Sequence, residues 1–149
     1  MLFLLLFVSS VLAQQARTVA VLDLDQAAGS EEWAGLGKAL SGMIVSDLAL
    51  VPTLQLVERT RLDALVGEMH LSEGDFVDPK TAQKLGKGLG ARYVLVGSYS
   101  VVKDTFLLDS RIVEVEKGTV VKAASASGAP ADFVAVEKDL VDDLLVGLD

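Results

Sequence analysis

Gly86, Gly88 and Gly90 stand at alternate positions in KLGKGLGARYVLVGS, immediately ahead of an apolar run, a spacing also found in loops that hold a phosphate. Such loops work because a strand leads in and a helix leads out, so that free helical N–H groups and the positive end of the dipole face the anion. Here an amphipathic helical stretch leads in and a strand leads out. The groups on offer are carbonyls at the negative end of a helix, and Ala91 takes the place of a further glycine. The spacing predicts helix termination at Gly90 with close helix–sheet packing. A second glycine-rich stretch, GLGKALSG from Gly35 to Gly42, fails as a phosphate loop. Glu32 stands where the leading glycine is needed and Ala39 where a hydroxyl should follow Lys38. Its small residues are read as lying inside a helix that approaches a neighbour closely.

Asp23 and Asp25 close the first apolar run, at the strand end where open α/β sheets take their ligands, with Glu31 and Glu32 a few residues on. A divalent cation or a pair of catalytic carboxylates is the sharp reading; solvated or helix-capping aspartates are the plain one. No third ligand is fixed by spacing, and no apolar setting is evident that would raise one carboxyl pKa. No catalytic residue, metal ligand or cofactor site is therefore assigned. The single histidine, His70, cannot build a multi-histidine metal site and reads as solvent-facing. The absence of cysteine excludes disulfides, thiolate metal sites, a cysteine nucleophile and a lipid anchor on cysteine.

These residues have to be positioned by local elements. RTVAVLDLD, Arg17 to Asp25, is apolar on both side-chain parities up to Leu22 and predicts a central strand covered on both faces. Trp33, Leu36, Leu40, Met43, Ile44 and Leu48 recur at helical spacing, so a helix is expected from Glu31 to Leu50, with Ser30 as cap. TLQLVE is a short strand expected to lie parallel beside the first, and from Arg59 a second amphipathic helix follows. Asp78-Pro79 is an N-cap with the preferred first helical residue, opening a third helix. ARYVLVGSYSVV, DTFLLDSRIVEVE and VVKAASASG form a meander, and Pro130 opens a last helix lined by Phe133, Val136, Leu140, Leu144 and Leu148. The result is an α+β fold, β-α-β-α-α-β-β-β-α, with a mixed sheet of about five strands and helices packed on it. Whether the helices cover one face or both is left open.

The chain has 149 residues, 51% of them apolar and 23% charged, a composition that supports one core. MLFLLLFVSSVLA, residues 1–13, reads as a secretory signal before Gln14, too short for a span of about 20 residues. One domain over 17–149 follows. With 13 Lys plus Arg against 21 Asp plus Glu, the net charge of −8 argues against nucleic acid and anionic lipid surfaces as partners.

Taken in order, RTVAVLDLD, LQLVERTRLDALVGEM, VDPKTAQKLGKGLGARYVLVGSY and SRIVEVEKGTVVKAASASG resemble the curli production assembly/transport component (CsgG/HfaB-like) family. Related domains occur in lipoprotein activators of penicillin-binding proteins and in the amino-terminal domain of TolB. The resemblance implies a cell-envelope assembly or transport-associated module without catalytic residues. It departs from the pore-forming members in lacking a cysteine to acylate and in joining its long strands through Lys103-Asp104 alone, with no room for membrane hairpins. Expected from it is an exported, periplasmic, non-enzymatic protein, associated with the outer membrane or free, without an integral span once the signal is cleaved. Its partners would be other envelope proteins or copies of itself. The candidate contact residues are Glu58, Arg59, Ser72, Glu73, Asp75 and Phe76. The alternatives are an activator of peptidoglycan synthesis, a small metal-dependent enzyme using Asp23 and Asp25, and the first domain of a longer protein.

Overall fold

A computed structural model describes residues 17–148 apart from 73. The signal expected over 1–13 and the candidate contact Glu73 lie outside the described residues. The elements run β1 (Arg17–Val21), β2 (Asp25–Ala28), α1 (Leu36–Leu48), β3 (Leu54–Leu56), α2 (Arg59–Glu68), α3 (Pro79–Leu89), β4 (Tyr93–Val102), β5 (Thr105–Glu114), β6 (Thr119–Gly128) and α4 (Phe133–Gly147). The sheet is mixed and six-stranded, in the order β3-β1-β4-β5-β6, with β2 also on β4.

The apolar run read as one strand to Asp25 is in fact two. Val21 pairs with Leu95 and Asp25 with Ser98, so three residues, 22–24, face two on β4. This is a bulge, and it turns Asp23 and Asp25 out of the regular alternation. The first helix also starts later than its stripe suggests. Glu31–Trp33 form a 3-10 turn, and Gly35, with φ at +85°, cannot lie inside an α-helix; α1 begins after it. Gly37 and Gly42 are helical, as expected.

Parallel β1 and β3 are joined through α1, and β3 returns through α2 and α3 to β4 on the other side of β1. Because the two crossovers leave β1 in opposite directions, a single hand of crossover puts their helices on opposite faces. One core therefore lies between the sheet and α1 with α4, built on Val19, Leu40, Ile44, Tyr99, Phe106, Leu140 and Leu144. The other lies under α2 and α3, on Ala20, Leu62, Leu85, Val94, Val96 and Val113. Both faces of β1 are covered, which is what its apolar residues on both parities require.

Local chemistry sets the ends. The Asp78 side chain accepts from the Lys80 N–H at 3.0 Å, and α3 ends at Gly90, φ +66°, where the Ala91 N–H reaches Gly86 O at 2.9 Å. Gly86 lies against the sheet: an added Cβ would stand 2.3 Å from Val115 and 2.8 Å from Val94. The triple glycine is a helix end and a packing device, as its polarity predicted. Lys103-Asp104 is a two-residue turn, Val102 pairing directly with Thr105.

Candidate partner-binding surface

The bulge after β1 organises two polar contacts at the carboxyl end of the sheet. Asp23 accepts from Ser41 Oγ on α1 at 2.8 Å and forms an ion pair with the Arg59 guanidinium at the start of α2. Arg59 Nε is also 3.1 Å from Asp63, one turn along. Asp25, only 8% exposed, accepts the Gly74 N–H at 3.0 Å. The two aspartates thus tie α1, α2 and the loop before α3 to the strand. Together with Gly35, Gly37, Lys38 and Tyr99 they line a cleft of about 270 Å³, below the usual range for small-molecule pockets. Among the described residues no three of His, Cys, Asp and Glu are grouped to hold a metal ion.

The loop 72–77 is fixed at both ends and in the middle. The Ser72 N–H and Oγ donate to Asp75 at 2.9 and 3.3 Å, Gly74 to Asp25, and Arg111 on β5 to Val77 O at 3.2 Å. Phe76 points inward: it is 8% exposed and belongs to the core under α2 and α3. It closes the end of that core and also borders the cleft beside Asp23 and Asp25. Ser72 is exposed and Asp75 partly so. Glu58 precedes α2 without making a capping bond, while Arg59 is engaged within the chain. Arg59 and the Ser72–Asp75 turn are tied to the Asp23–Asp25 corner, whereas Glu58 lines a separate cleft with Thr18, Gln55, Arg61 and Gly90.

Asp25→Ala is expected to free this loop at a global cost of about 1–2 kcal/mol, the range for a buried hydrogen bond lost. Limited proteolysis should then cut within 72–77 faster than in the wild type while thermal unfolding shifts only slightly. Arg59→Met should cost about 1 kcal/mol or less, since both partners of its ion pair keep one-third of their side-chain surface in solvent, at 33% each.

Beside this loop lies a surface that the sequence reading missed. Helix α3 has 11 residues and β4, β5 and β6 have 10 each. At 1.5 Å per helical and 3.3 Å per strand residue the helix spans about 16 Å and the strands about 33 Å. Half of the sheet face under α2 and α3 therefore stays bare. Ser98, Ser100, Asp109, Arg111, Ser125 and Ser127 line it, with Leu107 37% exposed among them. An open groove of about 380 Å³ runs over Gly97, Asp109, Arg111 and Ser125. The groove ends at β6, ten residues long and, among the described residues, hydrogen-bonded on one side only, with Val120 and Val121 each 42% exposed. The period-two serines of SYS and ASASG were the available signal.

None of the curated proteins matches this chain in sequence. Among solved structures it is similar to the LpoB C-terminal domain from Salmonella enterica, with TM-score 0.63 and 18% identity over 76% of this chain and 83% of that one. It is also similar to the PelC dodecamer from Paraburkholderia phytofirmans, with TM-score 0.54 and 17% identity over 89% and 88%. The third is TolB from Acinetobacter baumannii, with TM-score 0.59 and 14% identity over 90% of this chain and 28% of that one. These likenesses bear out the α+β fold. The family described as "Curli production assembly/transport component CsgG" matches residues 5–102, well over half of the chain, ending at the last residue of β4. The chain belongs to the CsgG family.

Proposed function

We propose that this chain is a non-enzymatic protein-binding module of the cell envelope, exported to the periplasm, which takes its partner on the bare half of the sheet. The observation that carries this reading is the β4–β5–β6 face that the described residues leave uncovered, running out to a ten-residue edge that none of them pairs. A strand edge offers a row of main-chain donors and acceptors, and an extended segment can add to it. The hydroxyl-lined floor beside it provides side-chain hydrogen bonds and little apolar depth, which suits another polypeptide. The loop 72–77 reaches this face where Arg111 donates to Val77 O, and Ser72 and Asp75 of that loop, with Glu58 and Arg59 at the start of α2, are the proposed peripheral contacts. Membership in the CsgG family supports an assembly or transport-associated role, and no described helix is long and apolar enough to cross a membrane.

Arginine substituted at both Ser125 and Ser127 fills the groove while leaving the buried face of β6 unchanged. The double variant is expected to keep its thermal midpoint and lose partner recovery from cross-linked envelope fractions. Recovery equal to wild type would refute the assignment. The likeness to LpoB favours activation of peptidoglycan synthesis as a second reading, tested by a synthase assay with and without the purified protein.

A further inference from the structure

We infer that the segment docking on the bare half-sheet is an extended strand of another protein that adds antiparallel to β6, with an apolar, a long basic and an acidic side chain at alternate positions. This rests on the half-sheet reading above and adds the chemistry of the partner. The register of β5 on β6 sets the floor out in rows: Leu107 beside Ser127, Asp109 beside Ser125, and Arg111 beside Ala123. Arg111 also pairs with Val96, a member of the core under α2 and α3, so all three rows are on the face of that core. In each row the β6 member is small and its β5 neighbour is large or charged.

Asp109 and Arg111 carry opposite charges two residues apart and are partly buried. Yet among the described residues neither forms an ion pair. Asp109 leans toward the edge, where it accepts from Ser125 Oγ. Arg111 donates to Val77 O at 3.2 Å and still lines the groove. A strand added to β6 lies two strand spacings from β5, about 10 Å. An extended lysine reaches about 6 Å from its Cα and an aspartate carboxylate about 3 Å. A lysine or arginine laid across Ser125 therefore meets Asp109, and a shorter side chain does not. One row along, Arg111 repels a second base and favours an acid. In the other direction Leu107, 37% exposed, offers apolar contact across Ser127. Since β6 runs from the Ala123 row to the Ser127 row, an antiparallel strand, the pairing slightly more stable per residue, presents its apolar, basic and acidic residues in that order.

The test is fluorescence anisotropy of two labelled threonine-rich peptides on the purified protein. One carries leucine, lysine and glutamate at alternate positions, and the other has the lysine and glutamate exchanged. The wild type is expected to bind the first at least about tenfold more tightly, because the exchange sets like charges against each other. Diaminopropionate in place of the lysine keeps the charge on a short stem and should weaken binding by roughly as much. Asp109→Lys with Arg111→Glu, shown to be folded by circular dichroism, should reverse the preference between the two peptides. In cells this double variant should lose the partner from cross-linked envelope fractions. Equal binding of both peptides, binding of neither, an unreversed preference or unchanged recovery would overturn the inference. The half-sheet reading would survive those results, since it falls with the Ser125→Arg, Ser127→Arg variant instead. Recovery of a second copy of this chain as the sole partner would overturn the inference in favour of self-pairing at the edge.

Discussion

Gly37→Ala should cost about 3 kcal/mol, the upper end for overpacking a tight contact, whereas Gly42→Ala on the same helix should stabilise the fold. In sequence the two positions look alike. In the structure an added Cβ at Gly37 would stand 1.8 Å from the Leu24 carbonyl oxygen, while at Gly42 nothing lies within 4 Å. The clash at Gly37 is with backbone, which cannot rotate away, and Leu24 belongs to the bulge that aims Asp23 and Asp25. Moving it disturbs the anchor of loop 72–77 as well as the packing of α1. At Gly42 the only change is relief of glycine's conformational entropy, about 0.5–1 kcal/mol in favour of the helix. Thermal unfolding should show Gly37→Ala lower by roughly 10 °C and Gly42→Ala higher by a few degrees. Gly37→Ala should also be cut faster within the loop.

Glu137→Gln is expected to stabilise the protein at pH 8 and to have little effect at pH 4. Glu137 lies on the inner side of α4, 0% exposed, and among the described residues no donor hydrogen-bonds to its carboxylate. Lys138 Nζ comes within 3.9 Å of it but gives its hydrogen bonds to Asp47 on α1, at 2.6 Å to each oxygen. Burial, and then the charge of Asp47, raise the Glu137 pKa from 4.5 to about 7; Lys138 opposes this, while a hydrogen bond from the protonated carboxyl to Asp47 and the charge of Asp142 on the same helix add to it. The folded state therefore keeps a proton that the unfolded chain releases between these two values. The stability this gives is full below pH 4.5 and is lost as pH rises through 7. A shift of this size corresponds to about 3 kcal/mol at pH 8. The amide has no charge to bury, so denaturant curves of the Glu137→Gln variant and the wild type should converge at low pH and separate as pH rises. Curves that stay parallel from pH 4 to 8 would place the carboxylate in solvent. Helix α4 backs β5 and β6, so the pH at which Glu137 ionises also sets how firmly the proposed docking strand is held.

What could be read from residues alone followed the reach of the forces involved. Asp78-Pro79 and Gly90 announce the ends of α3 because caps and left-handed turns are settled within a few residues. β1 was legible because burial on both faces leaves an uninterrupted apolar run. β2 was not: Asp25–Ala28 is short and mostly exposed, and it is a strand only because it continues along β4, some 70 residues on. The start of α1 was misplaced because the stripe from Trp33 runs on without a break, and an apolar period carries no information about the sign of φ at Gly35. At the candidate site the loop 72–77 was recognised. The partners that fix it, Asp25 and Arg111, are distant in sequence, as is Arg59 from Asp23. The burial of Phe76 was not legible because an aromatic in a polar loop looks exposed until the open end of a core is seen beneath it. The bare half-sheet follows from an 11-residue helix set against 10-residue strands, a mismatch visible only when the two lengths are compared in ångströms.

Photo-cross-linking in living cells, with the reactive side chain placed in turn at Leu107, Val121, Ser125 and Leu50, separates the half-sheet from the rest of the surface. All four positions are exposed, Leu50 by 81% at the far end of α1. Docking on the half-sheet predicts adducts to one and the same envelope protein from Leu107, Val121 and Ser125, and none from Leu50. Adducts from Leu50 with none from the three sheet positions would contradict it.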